Sequence, residues 1–217
     1  MLGDTIGKLL RGKPVTESEI QDVERLLNET QYRNSVVSGL VNGDGSLAAQ
    51  IPIVRIYSEM LSENTASIEV PVSGAFKHLL IIGSGRTTEA AYSSTVGARF
   101  NGDSGANYRY QYDGGVNATQ TAAQGTGATG MIIGNMAGAS ADANAVGCLF
   151  AILPNSFGAL YKSSISVAGA HQGAAADMLV SSLVGFYQST NPVASMTILP
   201  GSGSFVAGTA ISVYGLS

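Results

Sequence analysis

From about residue 50 onward, apolar and polar positions alternate in short runs broken by Gly, Ser, Asn and Asp. Successive side chains of a strand point to opposite faces, so a period of two predicts strands. The runs fall at 53–57, 67–72, 77–82, 97–101, 108–112, 130–133, 146–153, 160–167, 181–187, 195–199 and 210–214. Short strands at this density, with few helical patterns between them, predict a sandwich or barrel and not a parallel sheet crossed by helices. The last two runs flank a Gly/Ser turn, and the sequence stops near the end of the second. A β-branched, aromatic ending of this kind predicts a strand paired within a closed sheet. Tyr108, Tyr110 and Tyr112 alternate with Arg109 and Gln111, which puts three phenols on one face. Three weakly charged stretches read as long loops: 113–129, 135–145 and 168–176. Long loops often carry binding. Tyr110, Tyr112, Asn117, Gln120, Gln124, Asn135 and Asn144 are therefore the candidate ligand or partner residues.

Before residue 46 the pattern changes. Residues 1–33 hold 11 of the 26 charged residues. Thr16-Glu17-Ser18-Glu19 is a capping box, Val15 and Ile20 occupy the staple positions, and Gly39 supplies a stop. A helix over about 17–38 follows, with a shorter element expected between Asp4 and Leu10. Ile20, Val23, Leu27, Thr30, Asn34 and Val37, continuing to Val41, allow a heptad seam in which Asn34 would set register. The same positions suit a single amphipathic helix docked on its own sheet or on another protein, and both readings stay open. Glycines in Val41-Asn-Gly-Asp-Gly-Ser46 make the joint between an N-terminal module, 1–45, and a β-domain, 46–217. Asn42, Asp44 and Ser46 have the outline of a calcium loop, but Ile51 stands where the bidentate Glu would be needed.

Composition narrows the picture. Charged residues make up 12% of the chain and the net charge is −4, so there is no basic footprint for nucleic acid. A surface this weakly charged is easier to tolerate where neighbouring subunits cover part of it. No apolar run approaches the ~20 residues of a membrane helix, and the N-terminus lacks a secretory signal pattern. The single Cys148 lies in an apolar run and reads as a buried, inert thiol.

Several motifs do not survive their context. The run from Leu79 into Gly83-Ser84-Gly85 has the outline of a dinucleotide turn, but Thr88 replaces the third glycine and no helix has room to follow. Gly102-Asp103-Ser104-Gly105 matches the surroundings of a serine-protease nucleophile, yet the histidine setting is missing. It reads instead as a hairpin turn. His78 sits in an apolar strand and His171 on a loop, with no clustered ligands for a metal. Glu89, Asp103 and Asp113 are acid candidates for glycoside hydrolysis only in the weak sense that sequence spacing does not report distance.

Two stretches carry a likeness to a family. Arg99-Phe100-Asn101-Gly102-Asp103-Ser104-Gly105-Ala106-Asn107-Tyr108 and the closing Phe205-Val206-Ala207-Gly208-Thr209-Ala210-Ile211-Ser212-Val213-Tyr214-Gly215 occur in the order and spacing of the family's motifs. Residues 50–217 thus resemble the jelly-roll structural proteins of tailed bacteriophage virions. The resemblance implies a mainly β, antiparallel jelly-roll sandwich preceded by a short N-terminal α-helical module. It implies a non-enzymatic protein of the particle exterior, foremost a trimeric capsid decoration or head-fibre protein. Its partners would be itself as a homotrimer and the major capsid or tail proteins, with no cofactor, metal, nucleic acid or membrane. It would sit in the virion, assembled in the host cytoplasm. The alternative is a tail-fibre or baseplate module that recognises a host surface glycan. A cellular carbohydrate-binding module or enzyme domain is the third reading.

Overall fold

Alternating runs become twelve strands in the computed structural model, which describes residues 53–72, 76–171, 173 and 178–217. They are β1 (Ile53–Met60), β2 (Ile68–Pro71), β3 (His78–Gly85), β4 (Ser93–Phe100), β5 (Tyr108–Val116), β6 (Thr119–Ala128), β7 (Met131–Ala137), β8 (Gly147–Leu153), β9 (Lys162–His171), β10 (Met178–Tyr187), β11 (Ser195–Pro200) and β12 (Ala210–Leu216). All belong to one unit, Ile53–Ser217. The expected helix, its positions Ile20, Val23, Leu27, Thr30, Asn34 and Val37, and the boundary at 45/46 lie outside the described residues.

The protein is mainly β, a sandwich of two antiparallel sheets. One has eight strands in the order β1-β12-β3-β8-β9-β10-β5-β6, and the other four in the order β2-β11-β4-β7. Setting aside the hairpins β5–β6 and β9–β10, the chain alternates between sheets at every step but one, from β4 to β7, which pair side by side in the small sheet. The remaining orders, β1-β12-β3-β8 and β2-β11-β4-β7, form a double Greek key consistent with a jelly roll. Both hairpins join the same side of the large sheet, which therefore extends beyond the small one.

Alternation sorts the core. Leu79 and Ile81 of β3, Leu149 and Leu153 of β8 and Ile211 and Val213 of β12 meet Val96 and Phe100 of β4, Met131 and Ile133 of β7 and Met196 and Ile198 of β11. Burying each such side chain contributes about 1.5–3 kcal/mol. The sheets approach closely where β7 crosses β8: a methyl added to Gly147 would sit 2.5 Å from the Met136 Cα, which cannot yield.

The motif around Asn101 is a tie between the sheets. Asn101 and Gly102 adopt positive φ of 55° and 70° as the chain leaves β4 for β5 in the other sheet. Asn suits the left-handed region better than most residues, and Gly enters it freely. Asn101 Oδ1 accepts from the Ala194 and Ser195 amides at 2.7 and 3.3 Å, and its Nδ2 donates to the Pro192 carbonyl at 2.9 Å. The Asp103 carboxylate accepts from the Gly105 amide at 2.8 Å and from Asn107 Nδ2 at 2.9 Å. These bonds, the Gly105 amide first, hold its carboxyl below the usual carboxylate range. The Tyr108 hydroxyl accepts from the Phe100 amide and donates to the Asp103 carbonyl, both at 3.0 Å. Its ring stacks on Tyr187 with centroids 4.6 Å apart and 11° between planes. Burial raises the Tyr108 pKa, so the phenol stays protonated and able to donate.

Four expectations are corrected. The stretch 113–129 is not a loop: it completes β5 and forms β6, joined by a tight turn at Asn117 with φ 56°. As an edge strand exposed on both faces, β6 needs no alternation of apolar and polar residues. The stretches 135–145 and 168–176 begin inside β7 and β9, whose ends reach Ala137 and His171. The turn at 102–105 links two sheets and is not a hairpin. Cys148 is exposed, because β8 turns Leu149 and Ala151 inward and Cys148 and Phe150 outward.

Tyr108→Phe leaves the buried Phe100 amide without its acceptor and is expected to lower stability by about 1–3 kcal/mol in urea denaturation. The Asp103 contribution has a defined pH sense. Its pKa is depressed by folding, so the stabilisation is complete above the ordinary value of 3.8 and is lost as pH falls through the lower folded value. The advantage in melting temperature of the natural chain over Asp103→Asn should therefore be constant at neutral pH and shrink on acidification below that value.

Candidate functional site

The overhanging hairpin β5–β6 leaves a cleft. The small sheet ends at β7, so the inner face of β5 beyond Tyr108 is only partly covered. Tyr110, Tyr112 and Ala123 form one wall, Leu179 and Leu183 of β10 the floor, and Ser93, Thr95, Ile132 and Asn135 the side offered by β4 and β7. The cleft measures about 220 Å³. Thr95 and Ile132 also line a neighbouring hollow of about 170 Å³ that runs to Arg99, whose Nε donates to the Thr129 carbonyl at 2.9 Å.

Glycines shape the tyrosine wall. A Cβ on Gly125 would lie 2.3 Å from the Tyr110 ring, and one on Gly114 would lie 2.6 Å from the Tyr112 hydroxyl oxygen. Each ring therefore packs over a residue with no side chain, close along the sheet. Burial, reinforced by the neighbouring Asp113 carboxylate, raises the Tyr112 pKa. Asn135 is fixed from behind: its Nδ2 donates to Ser181 Oγ at 2.9 Å, and Ser181 Oγ donates to the Ala168 carbonyl at 3.5 Å. No Asp, Glu, His, Lys, Arg or Cys lines the cleft. Two tyrosine rings, the hydroxyls of Ser93 and Thr95 and an oriented amide, with no charged side chain beside them, suit the binding of an uncharged ligand.

Three of the seven candidate residues, Tyr110, Tyr112 and Asn135, come together here. Gln120 and Gln124 lie on the opposite face of the hairpin, where Gln120 Nε2 donates to Asp113 Oδ1 at 3.1 Å. Asn117 is in the hairpin turn. Asn144 lines a separate depression of about 420 Å³ with Asp142, Val146 and His171. Alternation within β5 identified the tyrosines. The contributions of Ser93, Thr95 and Ile132 carried no local signal, because another sheet brings them in.

Arg86 was also missed. Following the Gly83-Ser84-Gly85 strand end, it holds the 138–145 segment. Its Nη1 donates to the carbonyls of Asp142 and Ala145, and its Nη2 to those of Gly138 and Ala141. The glycine run makes room for β12 and its approach, since a Cβ on Gly83 would lie 2.6 Å from the Ile211 side chain and one on Gly85 2.3 Å from Thr209 Oγ1. His78 accepts the Asn155 amide at its Nδ1 at 2.9 Å, a structural role. Among the described residues no three His, Cys, Asp or Glu side chains are grouped so as to hold a metal ion.

No protein-family model matches the chain, and no curated protein matches it. Among solved structures the chain is similar to exo-inulinase from Aspergillus awamori, with 11% identity and a TM-score of 0.40. That alignment covers 75% of this chain and 29% of the inulinase chain, so the match spans under a third of the longer protein. Similarity to the galectin LEC-6 of Caenorhabditis elegans has 10% identity and a TM-score of 0.27, over 74% of this chain and 95% of that one. Similarity to the CBM2 module of an evolved Dit from Lactobacillus casei BL23 phage J-1 has 7% identity and a TM-score of 0.17, over 75% and 77%. Likenesses this loose bear on neither activity nor ligand.

Arg86→Ala removes the donors to four carbonyls. Amides of 138–145 are expected to exchange with deuterium faster by mass spectrometry, while β3 and β8 keep their protection.

Proposed function

We propose that this chain is a non-enzymatic structural protein of the bacteriophage virion, borne on the particle exterior as a homotrimer, with capsid decoration or a head fibre as its leading placement. One observation supports the reading: both stretches that carry the family resemblance do structural work in this sandwich. The first, Arg99 to Tyr108, is the tie between sheets, with Asn101 bonded to the approach to β11. The second, Phe205 to Gly215, supplies β12, which pairs with β1 and β3. Motifs with structural jobs are what a shared scaffold retains, whereas an enzyme's motifs cluster round reacting atoms. Many weak attachments on a repetitive lattice add through effective concentration, so no single strong site is required. Residues 1–45 would supply the attachment to major capsid or tail proteins. The protein would join the virion in the host cytoplasm.

The cleft favours a second reading, a tail-fibre or baseplate module that binds a host surface glycan through Tyr110 and Tyr112. Sugar rings pack on aromatic faces, and this cleft offers two of them without charge.

Cryo-electron microscopy of purified particles carrying the tagged chain tests both. Regular copies on the capsid are expected. Density at the tail tip, together with glycan-array binding lost in Tyr112→Ala, would transfer the assignment to the second reading. Absence of the chain from purified particles would overturn both.

A further inference from the structure

The outer face of β3, β8, β9 and β10 is apolar, and the first part of β9 inverts the usual order of a sandwich. In the first part of β9 the residues turned inward are Lys162, Ser164 and Ser166, followed by Ala168 and Ala170, all buried, while Ile165 and Val167 face outward at 58% and 51% exposure. The Ser164 and Ser166 hydroxyls have no hydrogen-bond partner, and buried Lys162 donates to the carbonyls of Gly158, Leu160 and Ser189. Moving the register by one residue would exchange the two sets. The pairing with β8 and β10 keeps the serines in and the aliphatic side chains out.

The outward aliphatics join their neighbours across the sheet. Ile82, Phe150 and Val167 are consecutive partners on β3, β8 and β9, and Ile165, Val180 and Phe186 extend the patch. No Asp, Glu, Lys or Arg occupies an outward position on these four strands. Charges resume at the flank, at Arg109 and Asp113 of β5, which pair with Phe186 and Ser182. An apolar centre with a polar rim is the anatomy of a protein interface. Six half-exposed side chains of this size leave roughly 600 Å² of apolar surface, the upper end for a monomer and near the ~800 Å² each partner buries in a standard interface.

We propose that this face, centred on Phe150, Ile165, Val167 and Val180, is where copies of this chain meet. Breadth and chemistry identify the occupant. A face four strands wide, about 15–19 Å across, is matched by another sheet and not by one helix of about 10 Å. A glycan would find no charged group and few polar ones on it, whereas an identical sheet is equally free of charge. Three identical faces turned toward a threefold axis close on one another, each sheet meeting both neighbours through the same apolar residues. The inference deepens the homotrimer reading by naming its contact surface, and it rests on the copies associating.

Cys148 lies within the patch, paired with Ser84 and Gly169, and reports on its coverage. The full-length protein is compared with Val167→Lys, with Ile165→Thr, and with Gln124→Lys as a charge control on β6. Mass is measured by sedimentation velocity, fold by far-ultraviolet circular dichroism, and Cys148 labelling with a maleimide. The natural chain and Gln124→Lys should sediment as oligomers with Cys148 protected. Val167→Lys should sediment at single-chain mass with the β spectrum retained and Cys148 labelled about tenfold faster. Ile165→Thr, which keeps β-branching, should weaken association without loss of fold. A natural chain of single-chain mass would overturn the proposal, as would Val167→Lys and Ile165→Thr that both keep the oligomer and the protected thiol. A dimer disrupted by Val167→Lys would uphold the surface and remove the trimer from the functional reading.

Discussion

Each sheet of this protein is held together from within by a strand that arrives late in the sequence. β12 lies between β1 and β3, and β11 lies between β2 and β4. Ser212 pairs with Ser58 on one side and Ile82 on the other, while Ile198 pairs with Ile68 and Ala98. Without these two strands, β1 and β2 have no sheet to join. Contacts between such distant segments carry loop-closure entropy that local hairpins do not. The sandwich therefore depends on a pairing that pays its entropy before it returns packing energy.

The rest is hung on that frame. The Asn101 tie fastens the exit of β4 to the approach to β11, so the chain's turn between sheets and its closing segment are held by one side chain. Tyr108 then carries the tie into the core, where it stacks with Tyr187. Hairpins β5–β6 and β9–β10 widen only one sheet. This asymmetry creates the cleft at Tyr110 and Tyr112 on the inner face and the broad apolar field on the outer face. Site and surface are consequences of the same unequal widening.

Much of this was legible along the chain. Eleven of the strands are legible as runs, because β3, β4, β8, β11 and β12 each turn at least two of Leu, Ile, Val, Met and Phe to the core at alternate positions, with Gly, Ala, Ser or Pro at the other inward places. β6 was hidden because an edge strand with two exposed faces can be built from Thr, Gln, Ala and Gly. Cys148 was misread because β8 is apolar on both faces, so hydrophobicity alone does not say which side is inside. β9 misleads in the same way, with serines inside and Ile165 outside. In the cleft, the tyrosines could be placed on a common face by their spacing, but Thr95 and Asn135 reach them only through the sandwich. The motif around Asp103 looked like a simple turn because its partners at Pro192, Ala194 and Ser195 lie about ninety residues away.

Native-state hydrogen exchange on the amides of β11 and β12 tests the closing role most directly. If these strands hold both sheets, their amides exchange only through global unfolding, with the denaturant dependence of β3 and β4. Exchange of β11 and β12 by local opening, while β3, β4 and β8 stay protected, would contradict the account.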